Sequence, residues 1–218
     1  MLMHWLDFLF PPRVDERALR DISNDDFLSL VAPQLVSETR PGTVMLLPFS
    51  DTRVRTAIHE AKYRGNKRAF ELLSLALAEY LHDFDDENYG FRKSVYIVPV
   101  PLGTARRKER GYNQIEEVAR CALRSLEPQE NLFILDNLLE RARETISQVS
   151  LPREKREENM RGAFTASLKL RSTSMAEISK CTFIVVDDVI TTGATLQAAV
   201  DALKKVGVEH IIPLALAH

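Results

Sequence analysis

The stretch Thr182–Leu196, TFIVVDDVITTGATL, constrains the fold more than any other part of this chain. It opens on an apolar, β-branched run, Phe183-Ile184-Val185-Val186, which reads as a strand buried on both faces. Two carboxylates, Asp187 and Asp188, follow where that strand should end. A short loop of small and hydroxylic residues, Ile190-Thr191-Thr192-Gly193-Ala194-Thr195, then leads into a helical pattern from about Leu196. Strand, turn and helix start, in that order, gather unpaired backbone N–H groups around one point. The helix dipole and the threonine hydroxyls make the same point attractive to a phosphate. Gly193 lets the backbone turn tightly and come close to the anion. The two aspartates have the wrong charge for phosphate, so they serve another part of the ligand. Sugar hydroxyls, or a Mg²⁺ ion bridging them, suit carboxylates. A phosphorylated sugar fits the whole constellation.

VVDDVITTGAT resembles the motif that binds phosphoribosyl pyrophosphate (PRPP) in type I phosphoribosyltransferases, where hydrophobic residues precede two acids and a TTG-type loop. The resemblance implies that Asp187 and Asp188 face the ribose hydroxyls and that Ile190 to Thr195 wrap the 5-phosphate. Two acids at a strand end are by themselves common in α/β proteins. The full run is specific because each position has a task.

The rest of the chain supplies the scaffold for such a loop. From Asp51 the pattern alternates. Val54, Ala57, Ile58 and Ala61 have helical spacing, Gly65-Asn66 interrupts, and Phe70 to Leu81 resumes as a second helix. The acidic run Asp83–Asn88 is read as a loop. Val95 to Val100 is a strand, and a helix from about Asn113 to Ser125 follows it. Leu132 to Leu139 reads as a further strand, Glu140 to Phe164 as a mobile loop with a short helix, and Phe164 to Lys169 as a strand. A helix from Thr195 to about Val206 and a last strand, His210 to Ala217, close the chain, with Pro213 suggesting an edge or a bulge. The fold class expected is α/β, a central, mostly parallel sheet with helices on both faces, ligands lying beyond the carboxyl ends of the strands. Residues 51–218 form the phosphoribosyltransferase-like domain in this reading, and residues 1–50 a separate N-terminal segment. In that segment Trp5, Leu6, Phe8, Leu9 and Phe10 dock on the domain or a partner, Asp21 to Phe27 is read as a helix start, and Thr43 to Phe49 as an edge strand with Pro48 near its end.

Three further stretches are similar to one branch of the superfamily, the ComF-type competence proteins. They are Ala61-Lys62-Tyr63-Arg64-Gly65; Val98-Pro99-Val100-Pro101-Leu102 with Arg107 and Arg110-Gly111-Tyr112-Asn113-Gln114; and Leu139-Glu140-Arg141 through Arg143, Thr145, Gln148, Leu151, Arg156 and Asn159 to Phe164. A ligand carrying pyrophosphate needs donors and cations opposite the 5-phosphate loop. Leu102 and Gly103 offer backbone N–H groups, while Arg107 and Arg110 offer cationic forks. The basic turn Lys62–Lys67 is either a solvent-exposed corner or part of the site. The resemblance implies a pentosyltransferase that displaces pyrophosphate at the anomeric carbon, with magnesium as cofactor and Asp187 and Asp188 as its ligands. The catalytic group would be Asp187, Asp188, Arg107 and Arg110. The acceptor, a nucleobase or an amine, has no signature. ComF-type relatives usually carry a four-cysteine zinc segment at the N-terminus, and residues 1–50 hold no cysteine, so no zinc is expected here. The resemblance also leaves open a non-catalytic competence factor that contacts single-stranded DNA or a DNA-processing protein, and a PRPP-responsive regulator.

Composition narrows the classes that remain. The 218 residues are 45% hydrophobic and 28% charged with net charge −2, which argues against a generally basic nucleic-acid binder. Cys121 and Cys181 lie far apart, so no disulfide framework or cysteine zinc site can be read from them. No apolar run is long enough to span a membrane, and a cytoplasmic location is the expectation. The choice between monomer and homo-oligomer stays open.

Overall fold

The computed structural model describes residues 14–88, 94–126, 131–143, 153–167, 178 and 180–218. Its elements, in chain order, are α1 (Val14–Asp21), α2 (Asn24–Leu28), β1 (Gln34–Val36), β2 (Thr43–Leu47), α3 (Thr52–Arg64), α4 (Lys67–Asn88), β3 (Val95–Pro99), α5 (Thr104–Arg110), α6 (Gln114–Ser125), β4 (Leu132–Ile134), β5 (Leu139–Arg141), α7 (Arg153–Met160), β6 (Phe164–Ala166), β7 (Thr182–Val189), α8 (Ala194–Lys205) and β8 (His210–Ala217). One sheet has the order β1-β2-β8-β7-β3-β4, and β5 pairs with β6 in a small second sheet. All pairs of the large sheet are parallel except β1 with β2. This is the mixed α/β architecture with a mostly parallel sheet, consistent with a type I phosphoribosyltransferase-like fold.

The central strand behaves as its composition demands. With side chains alternating across the sheet, Ile184 and Val186 enter a core with residues of α3, α4 and α6. Phe183 and Val185 enter the opposite core, with residues of α8, β5 and β6. All four are fully buried, so no polar face is needed. Asp51 caps α3 by accepting from the Arg53 N–H at 2.8 Å. Gly65 ends that helix in the left-handed region, and Asn66 starts the next by accepting from the Arg68 N–H at 2.9 Å. The interrupted pattern around residue 65 is therefore a sharp helix–helix corner.

Several details differ from the sequence reading. Helix α4 continues through Asp83–Asn88, so that acidic run is helical and not a loop; no glycine or proline interrupts the chain before Gly90. Leu132–Leu139 is two short strands in different sheets, because the chain leaves β4 after Ile134 and starts β5 only at Leu139. Strand β2 is covered by β1 on one side and β8 on the other, so it is interior, with Pro48 just past its end. Strand β8 is also interior. Its Pro213 pairs with Val185 of β7, whereas the pairing with β2 begins only at Leu214. The proline thus lies outside the doubly paired part of the strand, where a missing N–H is tolerated. The polar segment near Asp21 is two helices, the second capped by the Ser23 hydroxyl accepting from the Asp26 N–H. Residues 34–47, read as part of the N-terminal segment, belong to the same sheet as the rest. The Trp5–Phe10 cluster lies outside the described residues, as do Thr145, Gln148 and Leu151. Among the described residues no helix is long and apolar enough to cross a membrane.

Candidate functional site

Strands β3 and β7 run parallel in register, Pro99 beside Val186, and the Val100 N–H donates to the Val186 carbonyl at 2.9 Å. Their carboxyl ends therefore deliver two loops to one edge of the sheet. Leu102 and Gly103 leave β3 there, Gly103 standing at the N-cap of α5. Asp187 and Asp188 sit at the end of β7, and residues 190–195 turn from it into α8.

The turn into α8 is tightly built. Gly193 has φ 81°, and a Cβ there would lie 2.8 Å from the Arg40 carbonyl oxygen and 3.2 Å from Thr39 Cβ. Only glycine satisfies both the backbone angle and the space. The Ile190 N–H donates to the Ala217 carbonyl, and the Gln197 N–H donates to the Gly193 carbonyl as the first bond of the helix. The Ala194 N–H donates to the Thr192 hydroxyl at 3.4 Å, and the N–H groups of Thr195 and Leu196 precede any carbonyl partner within α8. A small cleft is lined by Asp187, Val189, Ile190, Thr191, Gly193, Ala194, Thr195 and Leu196. From α7, Arg156 donates to the Thr191 hydroxyl at 3.2 Å and adds a cation to its mouth.

The two aspartates differ. Asp188 is buried, and its Oδ1 accepts from the Val189 N–H at 2.7 Å. Its Oδ2 takes the Lys62 ammonium at 2.7 Å and the Gln114 Nε2 at 2.8 Å. Asp187, partly open to the cleft, accepts the Asp188 N–H on Oδ1 at 2.9 Å. Burial, and then the neighbouring Asp188 carboxylate, push the Asp187 pKa up to about 7, against the Asp188 N–H and the positive charges of Lys62 and Arg141. Burial works against the charge of Lys62, but Asp188 and Asp187 together hold its ammonium above the ordinary value.

The motif blocks meet around this pair. Tyr112 donates its hydroxyl to the Ala61 carbonyl at 2.8 Å, and its ring meets that of Phe70 in a T-shaped contact. Asn113 caps α6 by accepting from the Ile115 N–H, and its Nδ2 donates to the Val100 carbonyl, both at 3.0 Å. That cap places Gln114, the first residue of α6, against Asp188. Arg110 donates to the Gln114 Oε1 at 3.2 Å and stacks over the Tyr63 ring, 4.9 Å from its centroid. Arg110 is thus joined to the acid pair through Gln114. Arg107 points elsewhere: its guanidinium donates to the buried Glu116 at 2.6 Å. Arg143 donates to the Asn159 and Arg161 carbonyls at 2.8 Å, fastening the end of α7. Arg141 lies over the Phe164 ring.

Sequence reasoning left three contributors unassigned. Gln114 was visible only as the end of a motif, Lys62 was left open between corner and site, and the Thr39–Arg40 backbone carries no local signal at all. As for a metal, the donor set is two hard carboxylates, which suits Mg²⁺. Asp188 is neutralised by Lys62, whereas Asp187 keeps surface on the cleft. Among the described residues no group of three or more His, Cys, Asp or Glu side chains is placed to hold a metal ion alone. A magnesium ion here would share its coordination with oxygens of the ligand.

The phosphoribosyl transferase domain family matches residues 134–218, the part that carries β7, the loop and α8. Competence protein F of Haemophilus influenzae is 34% identical over 115 residues, which are 53% of this chain and 46% of that protein. The matched stretch is thus about half the length of either chain.

Proposed function

With both matches supporting a ComF-type member of the phosphoribosyltransferase superfamily, we propose that the chain binds PRPP with Mg²⁺ and transfers its phosphoribosyl group. The observation that carries this reading is a single cleft lined by Asp187 and by the loop from Ile190 to Thr195. An acid for sugar hydroxyls and a cradle for a 5-phosphate stand side by side in it. The phosphate takes the N–H groups at the start of α8 and the Thr191 and Thr195 hydroxyls, with Arg156 at the rim. Asp187 and Asp188 accept from the ribose hydroxyls. Leu102 and Gly103, at the end of the neighbouring strand, face the pyrophosphate, with Arg110 behind them.

In the reaction the bond from the anomeric carbon to pyrophosphate breaks, a bond to the acceptor forms, and the acceptor's proton leaves. Positive charge grows on the ribose as pyrophosphate departs, and two carboxylates beneath the ring favour it. Bound Mg²⁺ supplies neutralisation of the leaving pyrophosphate, and Asp187 is the residue best disposed to hold it. The acceptor is a nucleobase or an amine. Calorimetry of PRPP with and without Mg²⁺, on wild type and on Asp187→Ala/Asp188→Ala, tests the reading. Saturable, Mg²⁺-dependent binding that disappears in the folded double variant is expected. A folded wild type that takes up no PRPP sinks it.

A second reading draws on the relative's name and on a cleft of about 450 Å³ lined by Lys62, Tyr63, Arg64, Arg106, Glu109, Arg110 and Tyr112. Cations beside two tyrosines suit single-stranded DNA. Against it, Arg110 already covers one face of Tyr63, and Tyr112 is held by Ala61 and Phe70. Affinity for an oligonucleotide that falls steeply with salt, unchanged by PRPP, favours this second reading.

A further inference from the structure

The basic cleft and the acid pair are not independent. Both side-chain donors on the Asp188 Oδ2 lead to the cleft. Lys62 lines it directly, and Gln114 is held from its other end by Arg110, which also lines it. Four of the lining residues are cationic and one, Glu109, is anionic, so the cleft is built for a compact polyanion. The Lys62 side chain, 26% exposed, pairs with the carboxylate and lines the cleft at the same time. Its stem leaves the last turn of α3, next to the left-handed corner at Gly65.

We infer that Lys62 is a positioning residue that couples the two places: a phosphate-type anion in the cleft draws its ammonium from Asp188, and sugar hydroxyls then take that carboxylate. The inference rests on the reading of Asp187 and Asp188 as the holders of the sugar. Each ligand removes a partner the other has to displace. A sugar phosphate that donates hydroxyls to Asp188 releases Lys62, and the released ammonium strengthens the cleft for the anion. The reverse exchange follows by linkage, so the two ligands bind with positive cooperativity. A plain structural ion pair does the opposite: breaking it for either ligand is a cost with no return.

The probes are ribose 5-phosphate, which carries the sugar and the 5-phosphate, and inorganic pyrophosphate, which carries only the anion, both in magnesium-free buffer. Pyrophosphate is titrated calorimetrically into the protein alone and into protein saturated with ribose 5-phosphate. Saturation with the sugar phosphate is expected to tighten pyrophosphate by about five-fold or more, in the usual range of coupling between sites. In Lys62→Gln pyrophosphate binds equally with and without the sugar. Should that variant not fold, Arg110→Gln, which cuts the route through Gln114, is expected to lower the coupling ratio. Pyrophosphate that is unaffected or weakened by the sugar phosphate in the wild type overturns the inference, as does undiminished coupling in Lys62→Gln. A wild type that binds no ribose 5-phosphate at all defeats the sugar-site reading itself, and the coupling with it.

Discussion

Replacing Asp187 with asparagine is expected to stabilise the protein at neutral and alkaline pH. Asparagine keeps the shape of the side chain and the Oδ1 that accepts the Asp188 N–H; it removes only the charge. In the folded chain burial and Asp188 raise the carboxyl from 3.8 to about 7. At ~1.4 kcal/mol per unit, that shift has a ceiling of about 4 kcal/mol, and the partial exposure of Asp187 brings the expected gain to roughly 1–2 kcal/mol. The sign follows from proton counts. Between the unfolded and folded pKa values the native state holds the proton and the unfolded state does not, so wild-type stability falls as pH rises through this window. Below about pH 4 both states are protonated and the advantage of asparagine vanishes; above about pH 7 both are ionised and it is constant. Urea unfolding of both proteins at about pH 4, 5.5 and 8 without Mg²⁺ measures the difference at the floor, on the slope and on the plateau. A gain of equal size at every pH, or a loss at pH 8, refutes the account of the acid pair as a stored electrostatic cost. A carboxylate that destabilises its own fold is what a site selected for a ligand's hydroxyls and cations is expected to hold.

The turn into α8 and the motif junction give two further predictions. Gly193→Ala sets a Cβ against the Arg40 backbone at φ 81° and is expected to cost about 3 kcal/mol. Gly111→Ala, at φ 80° with no atom within 4 Å of the new Cβ, is expected to cost only about 1 kcal/mol; equal losses in urea unfolding defeat the packing argument. Asn113→Ala removes the cap of α6 and the donor to the buried Val100 carbonyl, with an expected loss of about 2 kcal/mol. It also frees Gln114 from its place at Asp188, so PRPP affinity falls with stability. Unfolding and calorimetry that leave both unchanged exclude this role for Asn113.

Much of the frame was legible from residue order. The run Phe183–Val186 had to be covered on both faces because it has no polar side, and the loop from Ile190 to Thr195 had to precede a helix because Gly193 is followed by a helical pattern. Those are local rules, and they hold locally. They failed where the deciding neighbour is distant. Pro213 reads as an edge proline until the pairing of β8 with β2 is seen to begin only at Leu214, and the acidic run before Gly90 reads as a loop although its helix simply continues. Arg107 and Arg110 look equivalent in sequence, three residues apart at the end of α5. One is drawn to the buried Glu116, and the other reaches Gln114 and Tyr63.

The sequence by itself determined the strand, the paired acids and the glycine turn, since backbone sterics, side-chain alternation and charge act within a few residues. Tertiary structure alone decided which side chains answer Asp188 and what stands behind Gly193. Lys62, Gln114 and the Arg40 carbonyl come from three separate parts of the chain, and no local preference records a contact made only when the sheet brings its loops to one edge.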